Sequence, residues 1–337
     1  MTTMPAPHTP SRHRLLTFVV LLALTGLVAT GCVRFPAPES PPPTATAGPP
    51  VLPGVQVDVP VEPLPSSEAC NATLTLRPPA QMPLPRQMPP NSTMAGILER
   101  GRLIVGLDIG SNLFSFRDPI TGDIQGFDVD IAHEIAGAIF GDDRRVEFQV
   151  LSSAQRIDAL RDMTVDVVIK TMSITCDRLR DISFSAPYYV ASQRILSFRN
   201  SNVTGPAQLA DKRVCAARGT TSIGRIQAIQ PRATIVSTTT WADCLVLMQQ
   251  GQIDAATTDD AILAGLAAQD PWLRVVGPSL GEEFYGVGLP KGQDDMIRFV
   301  NGVLERIRVT GRWQEIRDRW LSILDSGYGA PQPYYRD

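Results

Sequence analysis

From Met94 onward, apolar positions fall into short continuous runs separated by amphipathic stretches. Leu103 to Leu107 reads as a buried strand ending at Asp108, and Phe127 to Phe140 carries apolar residues at helical spacing. Val146 to Val150 alternates as a strand, Ala154 to Asp162 reads as a helix, and Val165 to Ile169 reads as another buried strand. Further strands are expected at Arg213 to Ala217, Thr234 to Ser237 and Ala255 to Thr257, with helical runs between them. Strands alternating with helices of this length predict parallel α/β sheets. Ligands on such sheets sit beyond the carboxyl ends of the strands. That rule directs attention to Asp108, Lys170 to Ser173, Arg218 to Ser222 and Thr258-Asp259.

Ahead of Met94 the pattern is different. Arg12, His13 and Arg14 precede an apolar run from Leu15 to Ala29, which is short for a bilayer span and suits an export signal. The run ends in Ala29-Thr30-Gly31-Cys32, which resembles the cleavage box of bacterial lipoproteins with Ala in place of the usual Leu. Residues 1–31 are therefore read as a lipoprotein signal peptide and Cys32 as the acylated mature N-terminus. A soluble secreted protein cleaved nearby is the alternative. Of the 29 prolines, 17 fall between Pro36 and Pro90, without a period of 2 or 3.6. Residues 32–93 are accordingly expected to form a disordered, extended tether, reaching at most about 180 Å at roughly 3.1 Å per residue. The sequons Asn71-Ala72-Thr73 and Asn91-Ser92-Thr93 are taken as chance matches.

Composition narrows the function. Net charge is -3, so a broadly basic nucleic-acid binder is not expected. Three His are too few and too scattered for a His-based metal site, and neither metal nor cofactor is expected. Lysine is confined to Lys170, Lys212 and Lys291, which makes each worth locating. Five Cys less a lipidated Cys32 leave Cys70, Cys176, Cys215 and Cys244, an even number that fits an oxidising compartment. Of three possible pairings, Cys215 with Cys244 is preferred because both fall in one βα unit, leaving Cys70 with Cys176.

A series of short motifs follows in a familiar order. Gly126-Phe127-Asp128-Val129-Asp130-Ile131 opens the first long helix, then Val165-Asp166-Val167 runs into Ser173-Ile174-Thr175 and Asp177-Arg178. Phe184-Ser185-Ala186-Pro187-Tyr188-Tyr189, Gly219-Thr220-Thr221-Ser222, Asp254-Ala255 with Asp259, and Tyr285-Gly286-Val287 with Pro290-Lys291-Gly292 complete it. In this order the chain from about Met94 to Asp325 resembles the bacterial extracellular solute-binding proteins for polar amino acids. The resemblance implies an α/β, two-lobed periplasmic-binding-protein fold with a hinge of two crossing strands. Lobe 1 would comprise 94–191 and 286–325, lobe 2 192–285, and a C-terminal tail 326–337. Hinges would fall near Val190-Ala191-Ser192 and Phe284-Tyr285-Gly286. Trp313 and Trp320 are expected in the core rather than stacked on a ligand.

The same resemblance assigns roles. Arg178 would grip an α-carboxylate through its planar fork, although a surface pairing with Asp177 or Asp181 is the competing reading. Backbone N–H groups of Ser173 and of Thr221 and Ser222, at a helix start, would complete the anion site. Asp259 would receive the α-ammonium, with Asp260 as the competitor and Thr171 or Ser173 as further acceptors. Ser111 and Ser153 stand where glutamine binders carry aromatics. Lys170 and Arg218 add cations near the pocket, and Lys170 either meets a ligand anion or pairs with Asp108. Arg117 and Arg194 are weaker candidates.

These assignments predict a non-catalytic binding protein, preferring aspartate or glutamate over their amides. Its partners would be an ABC permease or a membrane sensor, with a lipid anchor at the outer face of the cell membrane and a monomeric state. An enzyme of the cyclohexadienyl dehydratase type is the alternative, because such enzymes resemble these binders.

Overall fold

A computed structural model of the chain describes residues 52–57, 59–60, 70–324 and 329–337. Residues 1–31, expected to form a signal peptide, and Cys32 lie outside these residues. Among the described residues, three hydrophobic core clusters pack on one hydrogen-bonded path of strands, two of them in the first lobe and one in the second. In the first lobe, Leu103–Leu107 is parallel to Val146–Val150 on one side and Val167–Val168 on the other. Leu103, Val105 and Leu107 are fully buried, as a central strand covered on both faces requires. The second lobe repeats the pattern, with Arg213–Ala217 parallel to both Thr234–Thr238 and Ala255–Asp259.

Two long strands join the halves. Ser183–Phe198 pairs antiparallel with Ala255–Asp259 of the second lobe and with Glu282–Leu289, which in turn reaches Val167–Val168 of the first. The sheets are therefore mixed rather than purely parallel. The register between the crossing strands slips between Tyr285 and Gly286 and again before Gly288. Phe114, Phe127, Tyr189 and Tyr285 pack edge-on or tilted at this crossing, with ring centroids 5.3 to 5.9 Å apart. Trp313 is buried and donates its Nε1–H to the Tyr188 carbonyl at 2.8 Å. Trp320 is partly buried and bonds Asp130. Both indoles thus serve packing.

Gly126 ends the turn before the helix Phe127–Phe140. At φ 137°, a Cβ there would lie 2.2 Å from the Phe114 carbonyl oxygen, so only glycine fits. The helix thereby starts directly against the sheet and buries Phe127, Asp128 and Ile131.

The reading of residues 32–93 as an extended tether does not hold for its described C-terminal part. Leu74–Leu76 is parallel to Tyr334–Arg336, its Thr75 hydroxyl bonds the Phe184 carbonyl, and Asn301 receives Ala186 N–H while donating to Leu76. Met82 packs over Gly302. Gln56–Val57 also pairs, antiparallel, with the edge strand Thr234–Thr238. Pro-rich flanks mask a short strand because proline breaks the alternation around it, whereas the two residues of Gln56–Val57 and the three of Leu74–Leu76 suffice to pair. Both disulfides occur in the preferred pairing, Cys215 with Cys244 and Cys70 with Cys176. No described helix is long and apolar enough to cross a membrane.

Candidate functional site

The lobes meet on a narrow cleft whose free volume is about 10 Å³, roughly the room of one water molecule, so they have to part to admit a solute. Ser153, Arg156, Thr171, Ser173 and Arg178 line it from the first lobe, and Thr220, Thr221, Ser222, Trp241, Thr258, Asp259 and Ile262 from the second. The lobes are closed upon one another. The Gly219 carbonyl of lobe 2 accepts from Arg156 Nη2 at 3.0 Å and Arg178 Nη2 at 3.1 Å, both in lobe 1. Gly219 is at φ 76°, and a Cβ there would lie 2.6 Å from the Ala154 Cα. Glycine alone allows that approach.

Of the sequence-predicted residues, Arg178, Ser173, Thr171, Thr221, Ser222 and Asp259 come together here. Arg178 begins the short helix Arg178–Asp181, and its Nη1 donates to the Ser173 carbonyl at 2.6 Å. Thr221 and Ser222 open the helix Thr221–Ile229, so its first N–H groups are directed at the cavity end of the strand Arg213–Ala217.

Lys170 does not line the cavity. Its ammonium, 2% exposed, is ion-paired with Asp108 and lies 3.3 Å from the Ser153 hydroxyl. Asp108 also accepts from Ser111 at 3.1 Å and Ser115 at 2.9 Å, so Ser111 is spent on this buried network. Burial pulls the Lys170 pKa down, against the pull of Asp108. Arg218 is turned outward, donating to the Gly54 carbonyl, and Arg117 donates to Gly122 on the surface.

Sequence reasoning missed Arg156 and Trp241. Arg156 is 2% exposed and donates Nε to Ser153, Nη1 to Lys170 and Nη2 to Gly219, all backbone carbonyls, at 2.9 to 3.1 Å. Among the described residues no carboxylate pairs with it. Burial and then Arg178 alongside push its pKa down to about 9. A signal was present. Ser152 and Gln155 form a capping box, so Arg156 is fixed in the first helical turn, where the macrodipole disfavours a cation.

Asp259 faces these cations from the other lobe. Its Oδ2 accepts from the Tyr285 hydroxyl, while among the described residues its buried Oδ1 has no hydrogen-bond partner. Burial, then the charge of Glu283, push its carboxyl up to about 8. Glu283 is itself paired with Arg225 at 2.7 Å. Asp260 instead caps backbone, accepting from Ser192 and Ala261 N–H.

The sign of this shift yields a prediction. A carboxyl raised from 3.8 holds its proton in the folded, empty protein but ionises in the unfolded chain. Stability therefore falls as pH rises from about 4 towards 8. Asp259→Asn removes that loss, so its melting temperature should gain on the wild type between pH 5 and pH 8. A pH-independent difference in scanning calorimetry would contradict the burial argument.

A two-lobed α/β fold, hinged on two crossing strands and closed over a charged cavity, defines a solute-binding protein. Residues 103–323 match the model of the bacterial extracellular solute-binding proteins, family 3, and the chain belongs to that family. It is 32% identical over 230 residues to the ABC transporter glutamine-binding protein GlnH of Bacillus subtilis, covering 68% of this chain and 84% of that one. It is 28% identical over 229 residues to the glutamate-binding protein GluB of Corynebacterium efficiens, 64% and 78% of the two chains. The crystal structure of the ancestral amino acid-binding protein AncCDT-1, a precursor of cyclohexadienyl dehydratase, is similar at a TM-score of 0.62. That similarity comes with 29% identity, over 68% of this chain and 99% of that chain.

Proposed function

We propose that this protein is an extracytoplasmic receptor for a free amino acid with an acidic side chain, aspartate or glutamate ahead of their amides. The carrying observation is the charge layout of the closed cavity. Arg178 and Arg156 lie side by side without a carboxylate on Arg156, and Asp259 faces them with Oδ1 unpartnered. An α-carboxylate on Arg178 and the N-terminus of Thr221–Ile229, with an α-ammonium on Asp259, would satisfy one end. A side-chain carboxylate on Arg156 and Ser153 would neutralise the other, with Trp241 and Ile262 as the apolar wall. Buried guanidinia are expected to carry this preference, in place of Lys170 and Arg218. The names of the glutamine- and glutamate-binding relatives support an amino-acid ligand.

Hinge closure would present the loaded form to an ABC importer or a membrane sensor. Acylation of Cys32 would hold the receptor at the outer face of the cell membrane. We read the protein as a monomeric binder without catalysis. AncCDT-1, although a precursor of cyclohexadienyl dehydratase, is an amino acid-binding protein.

Isothermal titration of the full chain against the common amino acids tests the reading. Aspartate and glutamate should bind, and asparagine and glutamine at least about tenfold more weakly, because a neutral amide leaves Arg156 uncompensated. Equal affinity for acids and amides would remove the acidic preference, and no binding at all would remove the amino-acid reading.

A further inference from the structure

We propose that Asp128 is a positioning residue for this binding site, an inference that rests on the amino-acid-binding reading above. Asp128 does not itself line the cavity but lies directly behind Thr171, which does. It sits fully buried in the first turn of the helix Phe127–Phe140, where a carboxylate is favoured by the helix N-terminus. Its Oδ2 accepts the backbone N–H of Thr171 at 2.9 Å, and its Oδ1 accepts the Tyr188 hydroxyl at 2.8 Å.

Thr171 is the point of interest because its φ is 41°. A β-branched residue rarely adopts the left-handed region, and such a strained conformation persists only where its surroundings hold it. The segment it shapes carries the aiming groups of the site. The Lys170 carbonyl receives Arg156 Nη1 at 3.1 Å, and the Ser173 carbonyl receives Arg178 Nη1 at 2.6 Å. The Met172 carbonyl receives Gly286 N–H at the hinge strand, and Ser173 bridges Tyr285. If Thr171 relaxed to a negative φ, the carbonyls on either side of it would swing and both guanidinia would lose their orientation. The bond from Asp128 to Thr171 N–H opposes that relaxation. Asp128 therefore acts on ligand through the turn, as the first long helix of lobe 1 reaching across to the strand end.

The test measures glutamate and aspartate affinity by titration alongside thermal unfolding of the same full-length variants. Asp128→Ala should weaken both ligands on the order of 30-fold. Asp128→Asn should stay within about threefold of wild type, since its amide oxygen accepts from Thr171 and its NH₂ donates to the Tyr188 oxygen. Adding Thr171→Gly to Asp128→Ala should recover most of the affinity, because glycine adopts this φ unaided, while leaving the melting temperature low. Where Asp128→Ala does not fold, Asp128→Leu fills the space without an acceptor and is read the same way. Wild-type affinity in folded Asp128→Ala, or no recovery with Thr171→Gly, overturns the positioning role. Failure of both the Ala and Leu variants to fold assigns Asp128 to structure alone and also overturns it. A wild type that binds no amino acid overturns the functional reading together with this one.

Discussion

Replacing Arg178 by alanine is expected to weaken amino-acid binding by about two to three orders of magnitude while leaving the ligand-free protein folded. The guanidinium is buried, held by the Ser173 and Gly219 carbonyls, and reaches both lobes. Truncating one partner of a buried, hydrogen-bonded charge pair costs about 2–5 kcal/mol, which is roughly 30- to several thousand-fold in Kd. Arg178→Lys should fail nearly as badly, because an ammonium supplies a point charge without the planar fork. The empty protein should tolerate the change. Arg156 lies alongside with the same charge, and removing one of two adjacent buried cations relieves their repulsion. Titration and thermal melting of each variant check the two halves separately. Affinity retained within threefold in Arg178→Ala would move the carboxylate site elsewhere.

What the sequence revealed and what it hid follow from how far each interaction reaches along the chain. Leu103 to Leu107 and Phe127 to Phe140 were legible because buried strands and helices impose their own local pattern. The long strand Ser183–Phe198 carries Pro187 within it and passes from one core to the other, so neither alternation nor a single apolar run marks it. Arg178, Asp259, Thr221 and Ser222 could be brought together through the resemblance and the rule for strand ends. The fate of Lys170 could not. Its partner Asp108 is 62 residues away, and both candidate partners, ligand and acid, present the same charge. Arg156 escaped because a basic residue near a helix end looks solvated until the turn before it is known to be capped.

Lys170 consequently gives a prediction about stability before selectivity. Lys170→Met should destabilise the protein by about 3–5 kcal/mol, since it leaves Asp108 buried without its counter-charge. At about 2–4 °C per kcal/mol for a domain of 150–250 residues, the melting temperature should fall by at least 6 °C or so. Replacing both partners, as Lys170→Met with Asp108→Leu, should recover much of the loss, because a matched apolar pair needs no compensation, although Ser111 and Ser115 then lose their acceptor. Chemical denaturation of the two single variants and the double closes the cycle. A double variant no better than the additive sum would show that the two charges are not coupled. The same proteins separate the two readings of Lys170 at the ligand. If its charge is consumed by Asp108, the ratio of aspartate to asparagine affinity should survive in Lys170→Met wherever the protein still folds. A collapse of that ratio would mean that the lysine's field reaches through the thin wall of Thr171 and Ser153 and shares the selection of an acidic side chain with Arg156.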